Sequence, residues 1–268
     1  MASVTDDAAT IAGRFLSARR AAGGLDDYPG ALPATLDAAY HVQDQAIAAW
    51  GQQIIGWKVG RITGAFAEQF GADRLAGPIF ASQTIPQDGE APDMPVFSRG
   101  FAAAEAEFLL RIGRTPPPGQ TDFTLDEAAN LIDAVHVGIE VASSPLGLIN
   151  AIGPAAIISD FGNNNGLVVG AALSDWRTSG FEEWEVSTRI DDREVGRGRA
   201  SAFPDGAIGS ARFLFELMAR RGITLEPGQW ISSGAVSGVH DAVAGQRIDV
   251  TFGDSYEVSC RLTAARPE

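Results

Sequence analysis

Residues 104–110 read AEAEFLL and carry two glutamates, Glu105 and Glu107, inside an apolar run. Successive side chains of a β-strand point to opposite faces, so a strand here places both carboxylates on the same face. Side-by-side carboxylates raise each other's pKa and weaken the strand unless a cation neutralises them. Taken alone, the pair fits a solvated strand face better than a metal site, because Ala106 and Phe108 would then face the core.

A third glutamate changes this balance. Glu140 lies within residues 137–141, which read VGIEV. An unpaired carboxylate is costly to bury in such a short apolar strand, so Glu140 needs a cationic partner. Three carboxylates without a thiolate or imidazole among them favour a hard cation over zinc. We therefore expect Glu105, Glu107 and Glu140 to bind Mg²⁺ or Mn²⁺.

Lys58 is the only lysine among 20 basic residues. It lies in residues 56–60, which read GWKVG, where the glycines permit close approach of another backbone. Burial can tune the pKa of an ammonium group, which makes lysine a possible proton carrier where arginine is not. We predict that Lys58 is catalytic; the alternative is that the arginine bias only reflects the composition of the gene.

Asp160 precedes an asparagine-rich segment, residues 162–166, which reads GNNNG. Asn and Gly accept positive φ angles, so a simple turn explains the segment. Asp160 is a second catalytic candidate, because its carboxylate could orient a base or a water molecule. Each of the three scattered histidines is interpreted as a packed or surface residue: His41, His136 and His240.

A further loop candidate is residues 232–240, which read SSGAVSGVH and follow a predicted strand. The hydroxyls and free backbone amides of such a loop suit a substrate carboxylate. Ser233 and Ser237 are therefore candidate substrate-binding residues. A plain hairpin loop is the alternative.

The composition argues against several classes of partner. The chain has 34 acidic and 20 basic residues, and its net charge of −14 disfavours nucleic acid and anionic membrane surfaces. Its single cysteine, Cys260, leaves no intrachain disulfide. We find no run of about eighteen uncharged apolar residues, the length of a spanning helix. The N-terminal stretch lacks a basic start followed by an apolar run, so we expect a cytoplasmic protein.

Helical periodicity dominates the first fifty residues, and short apolar runs broken by Gly and Pro predict strands from residue 54 onward. Thr124 and Glu127 form a capping box that opens one of the later helices. The helices are predicted over residues 8–20, 35–50, 124–135 and 208–221.

Residues 83–95 are rich in Pro, Asp and Gly and are interpreted as a linker. We predict an α+β fold in two parts. Residues 1–90 would form an N-terminal helical unit with the first strands. Residues 91–268 would form the metal-binding, β-rich catalytic core.

The segments that carry Lys58, the three glutamates, Asp160 and the serine loop follow one another along the chain. They are preceded by AYHVQ at residues 39–43. The ordered set resembles the fumarylacetoacetate hydrolase superfamily, and most closely its branch of 2-keto-4-pentenoate hydratases and 4-oxalocrotonate decarboxylases. The resemblance extends from about residue 39 to residue 262. It is far more specific than any single motif within it.

The resemblance implies a mixed β-roll or barrel-like core with a smaller helical N-terminal unit. It implies Mg²⁺ or Mn²⁺ on Glu105, Glu107 and Glu140, with Lys58 in the pocket. It also adds Gln43 to the candidate substrate-binding residues. Members of the superfamily usually assemble, so a homo-oligomer is expected.

The function implied is a lyase of aromatic catabolism that acts on a small 2-oxo acid. Its expected reaction is hydration of a 2-oxo-4-enoate, of the 2-hydroxypenta-2,4-dienoate type, through an enolate stabilised by the metal. The alternatives are a 2-oxo acid decarboxylase, an acylpyruvate hydrolase, and a non-catalytic 2-oxo acid binding protein. Two departures bear on this choice: Leu75 stands where hydratases usually have an Asp, and Pro145 stands where an Arg commonly follows the third ligand.

Overall fold

The structure is a computed structural model that describes residues 4–268, with side chains from residue 8 onward. The helices are α1 (Val4–Arg20), α2 (Leu36–Trp50), α3 (Gly64–Phe70), α4 (Leu125–Asn130), α5 (Ile149–Ile152), α6 (Pro154–Ser159) and α7 (Gly206–Arg221). The strands are β1 (Ile54–Arg61), β2 (Arg74–Phe80), β3 (Thr84–Pro86), β4 (Asp93–Val96), β5 (Phe101–Ile112), β6 (Ile132–Ser144), β7 (Asn164–Ala172), β8 (Val186–Ile190), β9 (Arg193–Gly198), β10 (Trp230–Ser232), β11 (His240–Asp241), β12 (Arg247–Phe252) and β13 (Tyr256–Ala264).

The strands form two mixed sheets. The larger sheet has the order β2-β1-β10-β5-β6-β7-β3, with β11 added on β5, and the smaller has the order β4-β13-β12-β8-β9. Parallel pairs, such as β1 with β10 and β13 with β4, occur beside antiparallel ones in each sheet. The predicted α+β class with a mixed β core is confirmed.

The two sheets pack face to face over an aromatic core. The Phe108 ring of β5 lies 5.2 Å from the Phe252 ring of β12, centroid to centroid, and 4.8 Å from that of Phe181. Edge-to-face contacts of this kind add to the free energy of apolar burial. The aromatic core therefore packs against β5, the strand that carries two of the predicted metal ligands.

The N-terminal helices cover one end of the larger sheet. α2 is capped by Thr35, whose hydroxyl accepts from the Ala38 amide at 3.2 Å, and it ends at Gly51 with a φ of 66°. Trp50 of this helix packs on Phe161, with the ring centroids 6.2 Å apart. Both ends of α2 therefore agree with the predicted helix.

The predicted linker, residues 83–95, is instead a structured crossing between the sheets. It contains β3, which pairs with β7 in the larger sheet, and β4, which pairs with β13 in the smaller one. Composition could not show this, because each strand is held by a partner far away in sequence. The domain division at residue 90 stays a prediction, although β1 to β3 lie in the same sheet as β5 to β7.

The capping box is confirmed, but its helix is shorter than predicted. The Thr124 hydroxyl accepts from the Glu127 amide at 3.2 Å, and the Glu127 carboxylate accepts from the Thr124 amide at 2.8 Å. α4 ends at Asn130, because β6 begins at Ile132 and its β-branched residues pair with β5. Within the described chain, none of the helices is long and apolar enough to cross a bilayer.

Candidate metal and substrate site

The three glutamates converge because β5 and β6 are paired in register. Glu105 faces Glu140 across the strand pair, and Glu107 faces Gly138. One oxygen from each carboxylate lies within 4.8 Å of the others. Glu107 and Glu140 are completely buried and Glu105 is 5% exposed. The solvated strand face that the Glu105–Glu107 spacing allowed is therefore excluded.

Neighbouring loops hold two of the carboxylates in place. Glu107 Oε2 accepts from the Ser232 hydroxyl at 2.5 Å and from the Gly234 amide at 2.8 Å. Glu140 Oε1 accepts from Asn164 Nδ2 at 2.9 Å. The second oxygen of each, Glu107 Oε1 and Glu140 Oε2, is buried without a hydrogen-bond partner in the part of the chain that is described. Two buried acceptors are thus available for a ligand.

Lys58 reaches the same cluster from β1. Its side chain is buried, and its Nζ lies 3.3 Å from Glu140 Oε1 and donates to Asn163 Oδ1 at 3.3 Å. Burial by itself would lower the pKa of this ammonium group. The negative charges of Glu140, Glu105 and Glu107 outweigh burial and hold the pKa above its ordinary value. Lys58 is therefore charged in the metal-free site.

One ammonium does not neutralise three buried carboxylates. Burial, the largest effect, and the charge of Glu140 raise the pKa of Glu105, while the charge of Lys58 lowers it. The net pKa is about 7. Burial and the charges of Glu140 and Glu105 raise the pKa of Glu107 well above its usual range. A divalent cation would remove this excess of negative charge, and three carboxylates suit Mg²⁺ or Mn²⁺ better than zinc. The residues present therefore fit the expected metal.

The asparagine segment is both a turn and part of the site. Phe161, Gly162 and Asn163 all have positive φ angles, between 55° and 66°. A Cβ on Gly162 would lie 3.0 Å from Lys58 Cδ, and one on Gly77 would lie 2.1 Å from the Phe161 carbonyl oxygen. Glycine is required at both positions, because the turn is pressed against Lys58 and β2.

Asp160 is placed behind this turn and not beside Lys58. Its Oδ1 accepts from Arg19 Nε at 2.6 Å, and its Oδ2 accepts from the Ser144 hydroxyl at 2.6 Å. Arg19 also donates to Asn165 Oδ1 at 2.9 Å. The catalytic role of Asp160 stays a prediction, and its contacts favour positioning of the asparagine segment. Arg19 was missed in the sequence, where it resembles an ordinary basic residue of a helix end.

Three substrate-binding candidates have different surroundings. The Ser233 hydroxyl is buried and has no hydrogen-bond partner among the described residues, but Ser233 does not line the cavity beside Lys58. The Ser237 hydroxyl lies 2.7 Å from that of Thr188. Gln43 Nε2 donates to the Ala76 and Ile158 carbonyls, both at 3.0 Å, and joins α2 to the wall of the site. The substrate-binding roles of all three stay predictions.

A cavity of about 340 Å³ opens beside Lys58 and Glu105. No histidine is among its lining residues, and Leu75, one of the two departures, contributes an apolar surface to it. The other departure, Pro145, is not in the lining. Its carbonyl oxygen accepts a hydrogen bond from the Leu25 amide at 2.8 Å. The lining comprises Lys58, Gly60, Arg61, Thr63, Leu75, Glu105, Asn150, Ile157, Asn163, Phe203, Ala235, Gly238 and Val239.

No family model matches the chain. A protein from Dechloromonas aromatica named 2-keto-4-pentenoate hydratase 2 is 26% identical over 235 residues, which cover 83% of this chain and 84% of that protein. The fold is similar to that of 4-oxalocrotonate decarboxylase from Pseudomonas putida G7, solved with magnesium and adipate (TM-score 0.78, 21% identity, 96% of this chain and 97% of the other). It is also similar to a fumarylpyruvate hydrolase from Pseudomonas aeruginosa, solved with Mn²⁺ and pyruvate (TM-score 0.55, 18% identity, 78% and 89%).

Proposed function

We propose that this chain belongs to the fumarylacetoacetate hydrolase superfamily, close to its hydratase branch, and that it is a divalent-metal-dependent lyase acting on a small 2-oxo acid. The proposed reaction is hydration of a 2-oxo-4-enoate. The observation that carries the proposal is the buried cluster of Glu105, Glu107 and Glu140 with Lys58 at its edge. The cavity beside it has room for a small substrate.

Glu105, Glu107 and Glu140 would hold Mg²⁺ or Mn²⁺, the ions named with two relatives of similar fold. A bound divalent ion would supply Lewis-acid stabilisation of negative charge on the carboxylate and 2-oxo oxygens of the substrate. Ser232 and Asn164 keep Glu107 and Glu140 in orientation through their hydrogen bonds. Mutation of such hydrogen-bond partners of metal ligands typically lowers metal affinity or activity by about 10–100-fold.

Lys58 would move a proton at Nζ, at the carbon next to the 2-oxo group. Glu140 and Asn163 fix the position of Nζ, and burial excludes bulk water from it. The unpartnered Ser233 hydroxyl would donate to a substrate oxygen. In this proposal Asp160 and Gln43 act indirectly, by holding the asparagine segment and α2 against the site.

Decarboxylation is a second candidate, and Leu75 favours it. Loss of carbon dioxide needs no base to activate water, whereas hydration and hydrolysis do. Leu75 presents an apolar surface to the cavity where hydratases usually have an acid, and the lining has no histidine. The same absence leaves acylpyruvate hydrolysis without a supporting observation. A non-catalytic 2-oxo acid binding protein would keep the metal and lose turnover.

The test uses the full chain stripped with EDTA and then reloaded with Mg²⁺ or Mn²⁺. We expect calorimetry to detect binding of oxalate, a planar mimic of a pyruvate enolate, only after reloading. We expect 2-hydroxypenta-2,4-dienoate to be consumed only then. Consumption without carbon dioxide supports hydration, whereas carbon dioxide release from 4-oxalocrotonate supports decarboxylation. Oxalate binding without turnover supports a non-catalytic 2-oxo acid binding protein. Full turnover in excess EDTA would reject the proposed dependence on a metal.

A role in aromatic catabolism, cytoplasmic location and homo-oligomeric assembly belong to the same proposal. The mass of the assembly in solution, measured by light scattering, tests the last of these.

A further inference from the structure

Asn150 lines the cavity beside Lys58, near the start of the short helix α5. We propose that the side-chain amide of Asn150 binds the oxygen atom that hydration adds to the fourth carbon, C4, of the substrate. Asn150 is then a substrate-binding residue that recognises a 4-hydroxy-2-oxo acid and positions the water molecule that becomes its hydroxyl group. This inference rests on the proposed function, because the carboxylate and the 2-oxo group are taken to lie at the glutamate cluster.

Two hydrogen bonds connect Asn150 to Lys58. Lys58 Nζ donates to Asn163 Oδ1 at 3.3 Å, and Asn163 Nδ2 donates to Asn150 Oδ1 at 3.3 Å. All three residues belong to the lining of the cavity. The chain of hydrogen bonds therefore begins at the proposed proton-transfer group and ends at the amide of Asn150.

The ammonium group of Lys58 sets the direction of this chain. An ammonium group has three hydrogens to donate and no lone pair with which to accept, so the Asn163 oxygen faces it. The Asn163 nitrogen then faces Asn150, and the Asn150 oxygen faces that nitrogen. The network thus fixes both amide orientations. Among the described residues, none accepts a hydrogen bond from Asn150 Nδ2, so both of its hydrogens are left for a ligand.

The backbone on either side of this pair of asparagines is held in place. Ile149, next to Asn150, is completely buried. α5 is followed by Gly153, with a φ of 104°, where a Cβ would lie 2.5 Å from Phe66 Cζ. Asn163 has a φ of 55° in the tight turn described above. The donors of Asn150 therefore have a defined position in the cavity, although the side chain itself is exposed.

Hydration brings an oxygen atom next to the carbon that Lys58 serves, which is C3. Once the double bond lies between C3 and C4, in conjugation with the 2-oxo group, C4 is the carbon that water attacks. The water oxygen forms the C4–O bond, C3 takes a proton from Lys58 Nζ, and the proton that the water loses returns to Nζ. The net change is the addition of one water molecule. Nζ and the new oxygen thus act on adjacent carbons, and Asn150 lies two hydrogen bonds away from Nζ.

The chemistry of the lining leaves the Asn150 donors free for a neutral oxygen. Glu105 is the only acidic residue in the lining, and it belongs to the metal cluster. An uncharged amide suits the oxygen of water or of a hydroxyl group, because neither carries a net charge that needs a counter-ion. Ile157, from α6, adds an apolar surface to the same cavity for the carbon chain.

The experiment compares 4-hydroxy-3,3-dimethyl-2-oxobutanoate with 3,3-dimethyl-2-oxobutanoate. The two ligands differ only in the hydroxyl group on C4, and neither has a hydrogen on C3, so neither can be dehydrated or enolised. Affinities are measured by calorimetry on the full chain loaded with Mg²⁺, with oxalate as the reference ligand. A hydrogen bond between neutral groups corresponds to about a two- to tenfold gain in affinity. We expect the wild type to bind the hydroxylated ligand tighter by that factor.

Asn150→Leu and Asn150→Ala remove the amide donors at an exposed position, where the fold tolerates the change. The affinities for the two ligands should become equal in both variants, with oxalate affinity unchanged. A general loosening of the cavity would instead weaken both ligands alike and keep the preference. Asn130→Leu is the matched control, because Asn130 is an exposed asparagine at the end of α4, outside the cavity lining. It should keep the preference for the hydroxylated ligand.

The outcomes separate this inference from the proposed function. Equal affinities in the wild type, or a preference that survives both Asn150 variants, would overturn the inference, while oxalate binding leaves the proposed function standing. Loss of the preference in Asn130→Leu would overturn it too, since the effect would then not depend on the cavity. Failure of oxalate to bind in the presence of Mg²⁺ would reject the proposed function and this inference together.

Discussion

Arg19 and Asp160 form an ion pair that is almost completely excluded from solvent. Their Nε and Oδ1 atoms are 2.6 Å apart, and the side chains are 3% and 1% exposed. The pair joins α1 to the turn that carries Asn163 toward Lys58. Its partners, Asn165 and Ser144, satisfy further polar atoms of both side chains. The N-terminal helix is therefore connected to the site by charge as well as by apolar packing.

Removing one member of this pair should be strongly destabilising. Arg19→Met leaves the Asp160 carboxylate buried without its cation, and such changes cost about 3–5 kcal/mol in the free energy of unfolding. Urea denaturation measures the loss. Arg197→Met is the matched control, because Arg197 pairs with Glu194 at 52% and 42% exposure. An exposed pair contributes less than about 1 kcal/mol, so equal losses in the two variants would contradict the role given to Arg19.

The metal should stabilise the wild type and not Glu107→Gln. Binding to the folded state at a hundred times the dissociation constant adds about 2.7 kcal/mol to stability. Thermal unfolding in EDTA and in Mg²⁺ measures this gain. In EDTA the variant should be at least as stable as the wild type, because it removes one of three crowded carboxylates. Glu194→Gln, at an exposed position, should keep the full gain, and a normal gain in Glu107→Gln would count against the cluster as the metal site.

Lys58→Met and Lys58→Arg should separate binding from proton transfer. Loss of a positioned proton-transfer group lowers turnover by about 10²–10⁴-fold. Binding of oxalate in the presence of Mg²⁺ should persist in both variants, because the three glutamates remain. Turnover and calorimetry on the same preparations provide the measurement. If Lys58→Arg keeps wild-type turnover, the lysine has only a structural role.

The buried thiol of Cys260 should make stability fall in alkali. Burial, together with the Asp249 charge, raises the pKa of this thiol from 9.0 to about 12. Between these values the unfolded chain loses the proton and the folded chain keeps it, so stability falls as pH rises through that window. The slope from one such group is about 1.4 kcal/mol per pH unit.

Cys260→Val tests this alkaline loss, because it removes the thiol and keeps a similar buried volume in β13. Urea denaturation from pH 8 to pH 11 should show a shallower decline in the variant. The remaining decline is expected from Tyr28 and Tyr40, whose pKa values burial raises to about 12. Identical slopes in variant and wild type would show that Cys260 does not contribute.

Much of the fold could be predicted from local patterns. The helix predicted over residues 35–50 and the capping box at Thr124 depend on a few neighbouring residues. The short helix α3 was missed because seven residues with no buried side chain have no periodic apolar face to recognise. β3 and β4 were missed because their partners β7 and β13 follow much later in the chain.

Most residues of the site, but not all, could also be selected from the sequence. Glu105, Glu107, Glu140 and Lys58 could be selected because charges in apolar runs are costly and stand out. Arg19 carries no such signal, because the aspartate with which it pairs, Asp160, is 141 residues away in the sequence. The roles of all these residues stay predictions until the variants above are measured.

The position of β10 has a consequence for synthesis of the chain on the ribosome. β1, which carries Lys58, reaches β5 only through β10, where Lys58 pairs with Ser232 and Ser232 pairs with Leu109. The ribosome makes the glutamate strands early, but Lys58 has no ordered path to them until residue 232 has emerged. Pairing between such distant segments is slow and exposes unpaired strand edges meanwhile. A nascent chain therefore carries the three glutamates before the strand that links Lys58 to them is available.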